Sequence, residues 1–281
     1  MKILVTGANG MLGKDLCPIL QDEGYDVIET DKHNLDITNL AQVTKVLNEE
    51  KPDIVIHCAS YTQVDKAEDE PDITRLINSK GTENIAKVCA EIDSTLVYIS
   101  TDYVFDGKGI NGEKRTTPYL PTDKSNPLNV YGLTKLEGEK AVRKYCKKYY
   151  IVRSSWLYGI HGKNFVETIL SLKDMPEIKV VDDQAGCPTW TVDLSEGIAE
   201  LLKSNEYGIY HICGGGQTSW YNFAGAILTL DGASVNIKPC STEEYPRKAK
   251  RPHYSVMDNN GSCRDWKSAL KEYMQLRNME D

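Results

Sequence analysis

Five short apolar runs, at residues 3–6, 25–29, 54–57, 96–100 and 150–152, alternate with longer amphipathic stretches through the first half of the chain. Between them, segments 12–23, 40–49, 73–91 and 130–148 carry helical spacing. Strands separated by helical patterns predict βαβ units and a parallel sheet. Right-handed crossovers then place helices on both faces, and ligands bind at the carboxyl ends of the strands. Beyond about Arg153 the pattern loosens, and residues 180–181, 209–212 and 235–237 read as short strands among glycine and proline loops. Residues 105–126, rich in Gly, Pro, Thr and Lys, predict a long loop of the kind that serves as a lid or binding loop. The expected fold class is α/β. A Rossmann-type doubly wound parallel sheet occupies mainly residues 1–153, and a smaller C-terminal α/β substrate-binding region mainly 154–281, with segments returning to the Rossmann core. The sequence contains no repeat and no low-complexity segment.

Composition narrows the partners. With 281 residues, 40% of them hydrophobic, the chain can bury a core as one large domain or two small ones. A formal charge of -8 argues against a nucleic-acid partner, which needs a basic face. A phosphorylated ligand must therefore be held by local devices, glycine loops and helix N-termini above all. The cysteines, Cys17, Cys58, Cys89, Cys146, Cys187, Cys213, Cys240 and Cys263, form no CxxC pair and no zinc spacing. They read as scattered reduced thiols of a cytoplasmic protein. The N-terminal apolar run is too short for a signal sequence, and no run approaches membrane-spanning length, so no membrane partner is expected.

The first strand leads into Thr6-Gly7-Ala8-Asn9-Gly10-Met11-Leu12-Gly13 and then a helix. Gly7 allows the tight turn, Gly10 lets backbone approach a pyrophosphate, and Gly13 lets the helix pack on the strand. Exposed N–H groups at the helix start favour the anion. A plain turn followed by a small-residue contact is the bland alternative, and the position after the first strand of a βαβ pattern favours the dinucleotide. The second strand ends at Asp31, which can accept hydrogen bonds from ribose hydroxyls and repel a 2′-phosphate. That leans towards NADH over NADPH, though Lys32 and His33 follow directly, and a solvated loop carboxylate is the alternative. Asp36 and Ile37 can bracket an adenine.

Tyr131 and Lys135 stand four apart on the helix predicted over 130–148, with Asn126 as N-cap and Pro127 in its first turn, so both side chains share one face. A phenol titrates near ~10, and a neighbouring ammonium favours the phenolate and lowers that value. With 16 Tyr in the chain, such a pair arises about once by chance, so position has to carry the argument. The fourth apolar run leads straight into Thr101 and Asp102, which places a hydroxyl at the same crevice. Thr101 can then hold a substrate carbonyl oxygen and share its proton with Tyr131.

The glycine loop, Ser100-Thr101-Asp102-Tyr103-Val104-Phe105 and Tyr131–Lys135 together resemble the extended short-chain dehydrogenases and, within them, the dTDP-4-dehydrorhamnose reductase family. Tyr61-Thr62-Gln63-Val64-Asp65-Lys66-Ala67-Glu68, Arg153-Ser154-Ser155-Trp156 and Asp183-Gln184-Ala185-Gly186-Cys187-Pro188-Thr189 extend the likeness over nearly the whole chain. The resemblance implies a catalytic triad of Thr101, Tyr131 and Lys135. It also implies a NADH or NADPH site lined by Gly10, Met11, Leu12, Asp31, Asp36, Ile37, Ser60, Tyr61 and Thr62. Thr101, Asp102 and Trp156 would contact the sugar or its nucleotide, with a core aromatic as the alternative for Trp156. The implied reaction is reduction of dTDP-4-dehydro-β-L-rhamnose to dTDP-L-rhamnose, in dTDP-rhamnose biosynthesis, with Tyr131 donating the proton. Another nucleotide-sugar 4-ketoreductase or an epimerase is the rival enzyme, and a non-catalytic dinucleotide-binding regulatory subunit the rival of another class. A homodimer is an assembly the sequence leaves open. Two departures from the family pattern stand out: Pro121 where glutamate is common, and Cys187 where serine is usual. Some relatives associate with magnesium, but no close acidic cluster supports a metal here, and none is expected.

Overall fold

The computed structural model describes residues 1–109 and 111–280, and its elements are numbered here in chain order. The five apolar runs form β1 (Lys2–Thr6), β2 (Asp26–Thr30), β3 (Ile54–His57), β4 (Thr95–Thr101) and β5 (Tyr149–Ser154). α1 (Met11–Asp22) and α2 (Leu40–Glu50) fill the first two crossovers. The third holds α3 (Val64–Ala67), α4 (Pro71–Arg75), a π-helical turn (Leu76–Gly81) and α5 (Thr82–Glu91). The fourth holds a 3₁₀ turn (Asp102–Val104), a long loop and α6 (Val130–Tyr145). Beyond β5 lie β6 (Leu157–Tyr158), α7 (Phe165–Leu170), β7 (Glu177–Val181), β8 (Ala185–Gly186), β9 (Thr189–Trp190) and α8 (Thr191–Leu201). β10 (Gly208–His211), β11 (Thr218–Ser219), α9 (Trp220–Asp231), β12 (Asn236–Cys240) and α10 (Trp266–Glu280) complete the chain.

Six strands lie in the order β10-β5-β4-β3-β1-β2, all parallel. Their Val- and Ile-rich cores are buried on both faces, as a parallel sheet requires. On one face Leu16 and Leu20 of α1 meet Leu194 and Ile198 of α8 over Ile3, Val5, Ile56 and Val152. On the other, Val43, Leu47, Ile85, Val88 and Val142 of α2, α5 and α6 cover Leu4, Val55, Leu96 and Ile151. The strand order reverses between β1 and β3, so the crossovers diverge there and open a crevice at the carboxyl ends. Segments from the second half complete this sheet, since β10 pairs with β5 and α8 packs beside α1.

Two local expectations change. The segment 73–91 is not one α-helix, because the π-turn at Leu76–Gly81 interrupts it. Within that turn the Asn78 side chain binds the backbone at Tyr61, and π-bulges are frequent at functional sites. The helix carrying Tyr131 starts at Val130, with Asn129 as its N-cap accepting from Gly132 N–H at 2.8 Å. Asn126 lies outside it and binds Asp106 at 2.7 Å. The second half is also more regular than its sequence suggests. α7, α9 and α10 gather around Phe223, Trp190, Trp266 and Tyr273 as a second core. Among the described residues no helix is long and apolar enough to cross a membrane.

Candidate active site

The crevice is a cleft of about 1290 Å³ that runs from the glycine loop to Trp156 and Trp220. Thr6 Oγ1 and His57 Nδ1, 2.7 Å apart, fasten β1 to β3 beneath its lip. Gly7 has φ +69°, and a Cβ there would meet Ala59 N at 2.8 Å. At Gly13 a Cβ would lie 2.5 Å from Ala8 Cα, so nothing larger than glycine fits between loop and helix. α1 starts beside Gly10 with no side-chain cap and no acidic residue in its first turn, and Met11 and Leu12 line the cleft there. A cradle that a side chain would fill, at an uncapped helix start, fits a dinucleotide pyrophosphate.

Further along, Asp31 lines the cleft, and its carboxylate accepts from Asn9 Nδ2 and, at 2.8 Å, from His33 N–H. The His33 N–H is the main cause that holds its pKa below the ordinary carboxylate range. Asp36 accepts from both the N–H and the hydroxyl of Thr38, and its buried neighbour Ile37 packs against Gly81. Ser60 and Thr62 line the wall. Tyr61 does not: its phenol turns away to Glu70 at 2.7 Å, while Asn78 holds its N–H at 2.7 Å. Asn78 also reaches Thr134 of α6 at 3.3 Å, tying the loop after β3 to the helix that carries Tyr131.

Thr101, Tyr131 and Lys135 come together at the inner end of the cleft. Tyr131 lines the cleft with Thr101 and meets Tyr103 edge-on, with ring centroids 5.7 Å apart. Burial raises the phenol's pKa, and Asp102 and Tyr103 add to the effect, with the neighbouring Thr101 hydroxyl opposing it. The sequence led us to expect a lowered value, but the ammonium that would lower it is directed elsewhere. Lys135 Nζ donates to Ile99 O at 2.6 Å and sits 4.2 Å from the centre of the Tyr98 ring. Burial brings the lysine down to about 7, opposed by Glu139 one turn along the helix. Glu139 is itself held in a buried two-point pair with Arg153, at 2.9 and 2.7 Å, and by Ser100 Oγ at 2.6 Å. Thr101 also differs from expectation, since its hydroxyl donates to Asp102 Oδ1 at 3.0 Å.

At the outer end Trp156 has φ +48° and lies flat on Trp220, with centroids 3.5 Å apart and ring planes 6° apart. Gly186 closes on its other side, where any Cβ would collide with the indole. The stack and the close glycine hold a backbone conformation that β-carbon sterics disfavour. Sequence reading found Trp156 and missed Trp220 and Phe165, which meets Trp220 at 4.5 Å. Nothing in local spacing links positions so far apart, and the only available signal was a Ser-Trp-Tyr run opening a helix. The two departures are absorbed quietly. Pro121 still offers its carbonyl to Arg153 Nη1 at 3.3 Å. Cys187 is buried, with its thiol 3.4 Å from Gly216 O. Among the described residues no group of three or more His, Cys, Asp or Glu could hold a metal ion.

Residues 1–278 match the family model described as the RmlD substrate binding domain. The chain is 42% identical to the spore coat polysaccharide biosynthesis protein SpsK of Bacillus subtilis strain 168, covering 98% of each. It superposes on a dTDP-4-dehydrorhamnose reductase of Clostridium acetobutylicum with a TM-score of 0.95 and 46% identity, over 99% of this chain and 100% of that one. A dTDP-4-dehydrorhamnose reductase of Bacillus anthracis in complex with NADP gives a TM-score of 0.93 and 42% identity, over 98% and 99% of the two chains.

Proposed function

The chain belongs to the dTDP-4-dehydrorhamnose reductase family marked by the RmlD substrate binding domain, and from that premise we propose the reaction and the residues that carry it. It is a nucleotide-sugar reductase that uses NAD(P)H. Its substrate is dTDP-4-dehydro-β-L-rhamnose, whose 4-keto group becomes the hydroxyl of dTDP-L-rhamnose. The observation that carries the reading is one cleft with an anion cradle at Gly7–Gly13 and, at its inner end, a half-buried Tyr131 beside the buried Thr101 and Lys135.

A nicotinamide cofactor held in this cleft would supply the hydride. Gly7, Gly10 and Gly13 leave room for its pyrophosphate against the start of α1, while Ile37, Ser60 and Thr62 form the wall on either side. Tyr131 enters the reaction protonated, because burial holds its phenol above the ordinary range. Its proton passes to the substrate O4 as that oxygen gains charge. Such general-acid assistance is worth about 10²–10⁴ in rate. Lys135, anchored on Ile99 O, stands on the same helix face as Tyr131 and offers its remaining donors to the cleft. Trp156 and Trp220 give the sugar nucleotide a flat apolar wall with Lys163 beside it.

Asp31 leans the cofactor choice towards NADH, because a carboxylate accepts ribose hydroxyls and repels a 2′-phosphate. Lys32 and His33 beside it temper that preference. The test is a panel of dTDP-, UDP- and GDP-linked 4-keto sugars with NADH and NADPH, followed by loss of nicotinamide absorbance. Stoichiometric cofactor consumption with the dTDP-4-keto-6-deoxy sugar is the expected result. Isomerisation without net consumption would reveal an epimerase and defeat the reading.

A further inference from the structure

Asp102 is a buried carboxylate held by hydroxyls from two distant parts of the chain. Thr101 Oγ1 donates to its Oδ1 at 3.0 Å, and Ser255 Oγ donates to its Oδ2 at 2.6 Å. Each of these three residues is at most 5% exposed. Ser255 lies behind Asp102, outside the wall of the cleft. Its backbone is pinned on both sides: Ser255 N–H donates to Ala185 O at 2.8 Å, and Tyr119 N–H to Val256 O at 2.8 Å. Among the described residues no cation pairs with Asp102. The titratable groups around it are Tyr103 on its own turn, Tyr131 from α6 and Cys213 after β10, with Arg251 reaching Tyr103 from behind.

A hydroxyl has one proton and an ionised carboxylate only accepts, which fixes the direction of this chain. We propose that Ser255 is a positioning residue of the reductase: it anchors the Asp102 carboxylate so that Thr101 commits its proton to Asp102 and presents lone pairs, not a proton, at the inner end of the cleft. The inference rests on the reductase reading above. Thr101 then does not donate to the substrate oxygen, which leaves that proton transfer to Tyr131. Protonation of Asp102 on the oxygen that faces Thr101 puts a donor there, and the Thr101 proton is then free to turn to the cleft.

Burial raises Asp102 to about 6, and the bond from Ser255 lowers it against that effect. Removing the Ser255 hydroxyl therefore lifts the titration further, by roughly one to two pH units for a charge-assisted hydrogen bond. Two measurements follow it. The infrared band of a protonated carboxyl, assigned to Asp102 by its loss in Asp102→Asn, is titrated in wild type, Ser255→Ala, Ser255→Cys and Ser255→Thr without substrate. The acid limb of kcat with the keto sugar is recorded for the same proteins. The expected result is an upward shift in Ser255→Ala, a smaller one in Ser255→Cys, and recovery in Ser255→Thr, with the two measurements moving together. An unmoved carboxyl band in the folded variants overturns the inference. A band that moves while wild type reduces no keto sugar defeats the reductase reading, together with the role assigned to the chain in it, and leaves only the hydrogen-bond geometry.

Discussion

Lys135→Met separates what the buried ammonium does for the reaction from what it costs the fold. The lysine is 3% exposed, and burial brings it from 10.5 to about 7 in the folded chain. The unfolded chain keeps the ordinary value. Between about pH 7 and 10.5 the unfolded lysine therefore holds a proton that the folded one has lost. Stability then rises with pH through that window, and the penalty is complete below it. Methionine fills a similar volume and binds no proton. The stability difference between Lys135→Met and wild type should favour the variant most below about pH 7. It should narrow by roughly 1.4 kcal/mol per pH unit above that, or on the order of 4 kcal/mol across the window. Loss of the bond to Ile99 O and of the contact with the Tyr98 ring moves the intercept of this line and leaves its slope. Denaturant unfolding of both proteins at several pH values from about 6 to 9 measures the slope. A difference that stays flat with pH would mean that Lys135 titrates normally, and the buried-ammonium argument would fail.

Other consequences follow from the same geometry. Glu139→Ala leaves Arg153 buried without its carboxylate and should cost about 3–5 kcal/mol, read by denaturant unfolding; the double change Arg153→Met with Glu139→Leu should recover most of it. Gly13→Ala puts a methyl group 2.5 Å from Ala8 Cα, so it should lower the melting temperature and weaken dinucleotide binding in a fluorescence titration. Trp220→Ala removes the stacked support of Trp156. By the worth of an aromatic pair it should raise KM for the sugar nucleotide by roughly 3- to 10-fold while leaving the dissociation constant for the dinucleotide unchanged.

The parts of the site written in consecutive residues were legible in the sequence. β1 with its glycine loop, the run of β4 into Thr101 and Asp102, and the four-residue spacing of Tyr131 and Lys135 each depend on one local segment, and the structure brings all of them to one cleft. What escaped depends on packing between distant segments. The π-turn at Leu76–Gly81 carries Asn78, which binds the loop at Tyr61, a long-range contact that helical periodicity does not record. Tyr61 looked like a cleft residue from its motif, but Glu70 draws its phenol away. Trp220 and Ser255 join the site only because α9 and the segment after residue 250 fold back over β8. The raised pKa of Tyr131 in the chain alone differs from the lowered value expected beside an ammonium and an oxidised nicotinamide for a related reason. Sequence places an ammonium nearby but says nothing of Ile99 O, which claims it, or of how deeply the phenol is buried.

The most direct test is a comparison of wild type and Tyr131→Phe reducing dTDP-4-dehydro-β-L-rhamnose, with dinucleotide affinity measured alongside. Loss of the phenolic proton should lower kcat by about 10²–10⁴ and leave cofactor binding intact. Turnover in Tyr131→Phe equal to wild type would contradict the account, because the proton would then have to come from somewhere else.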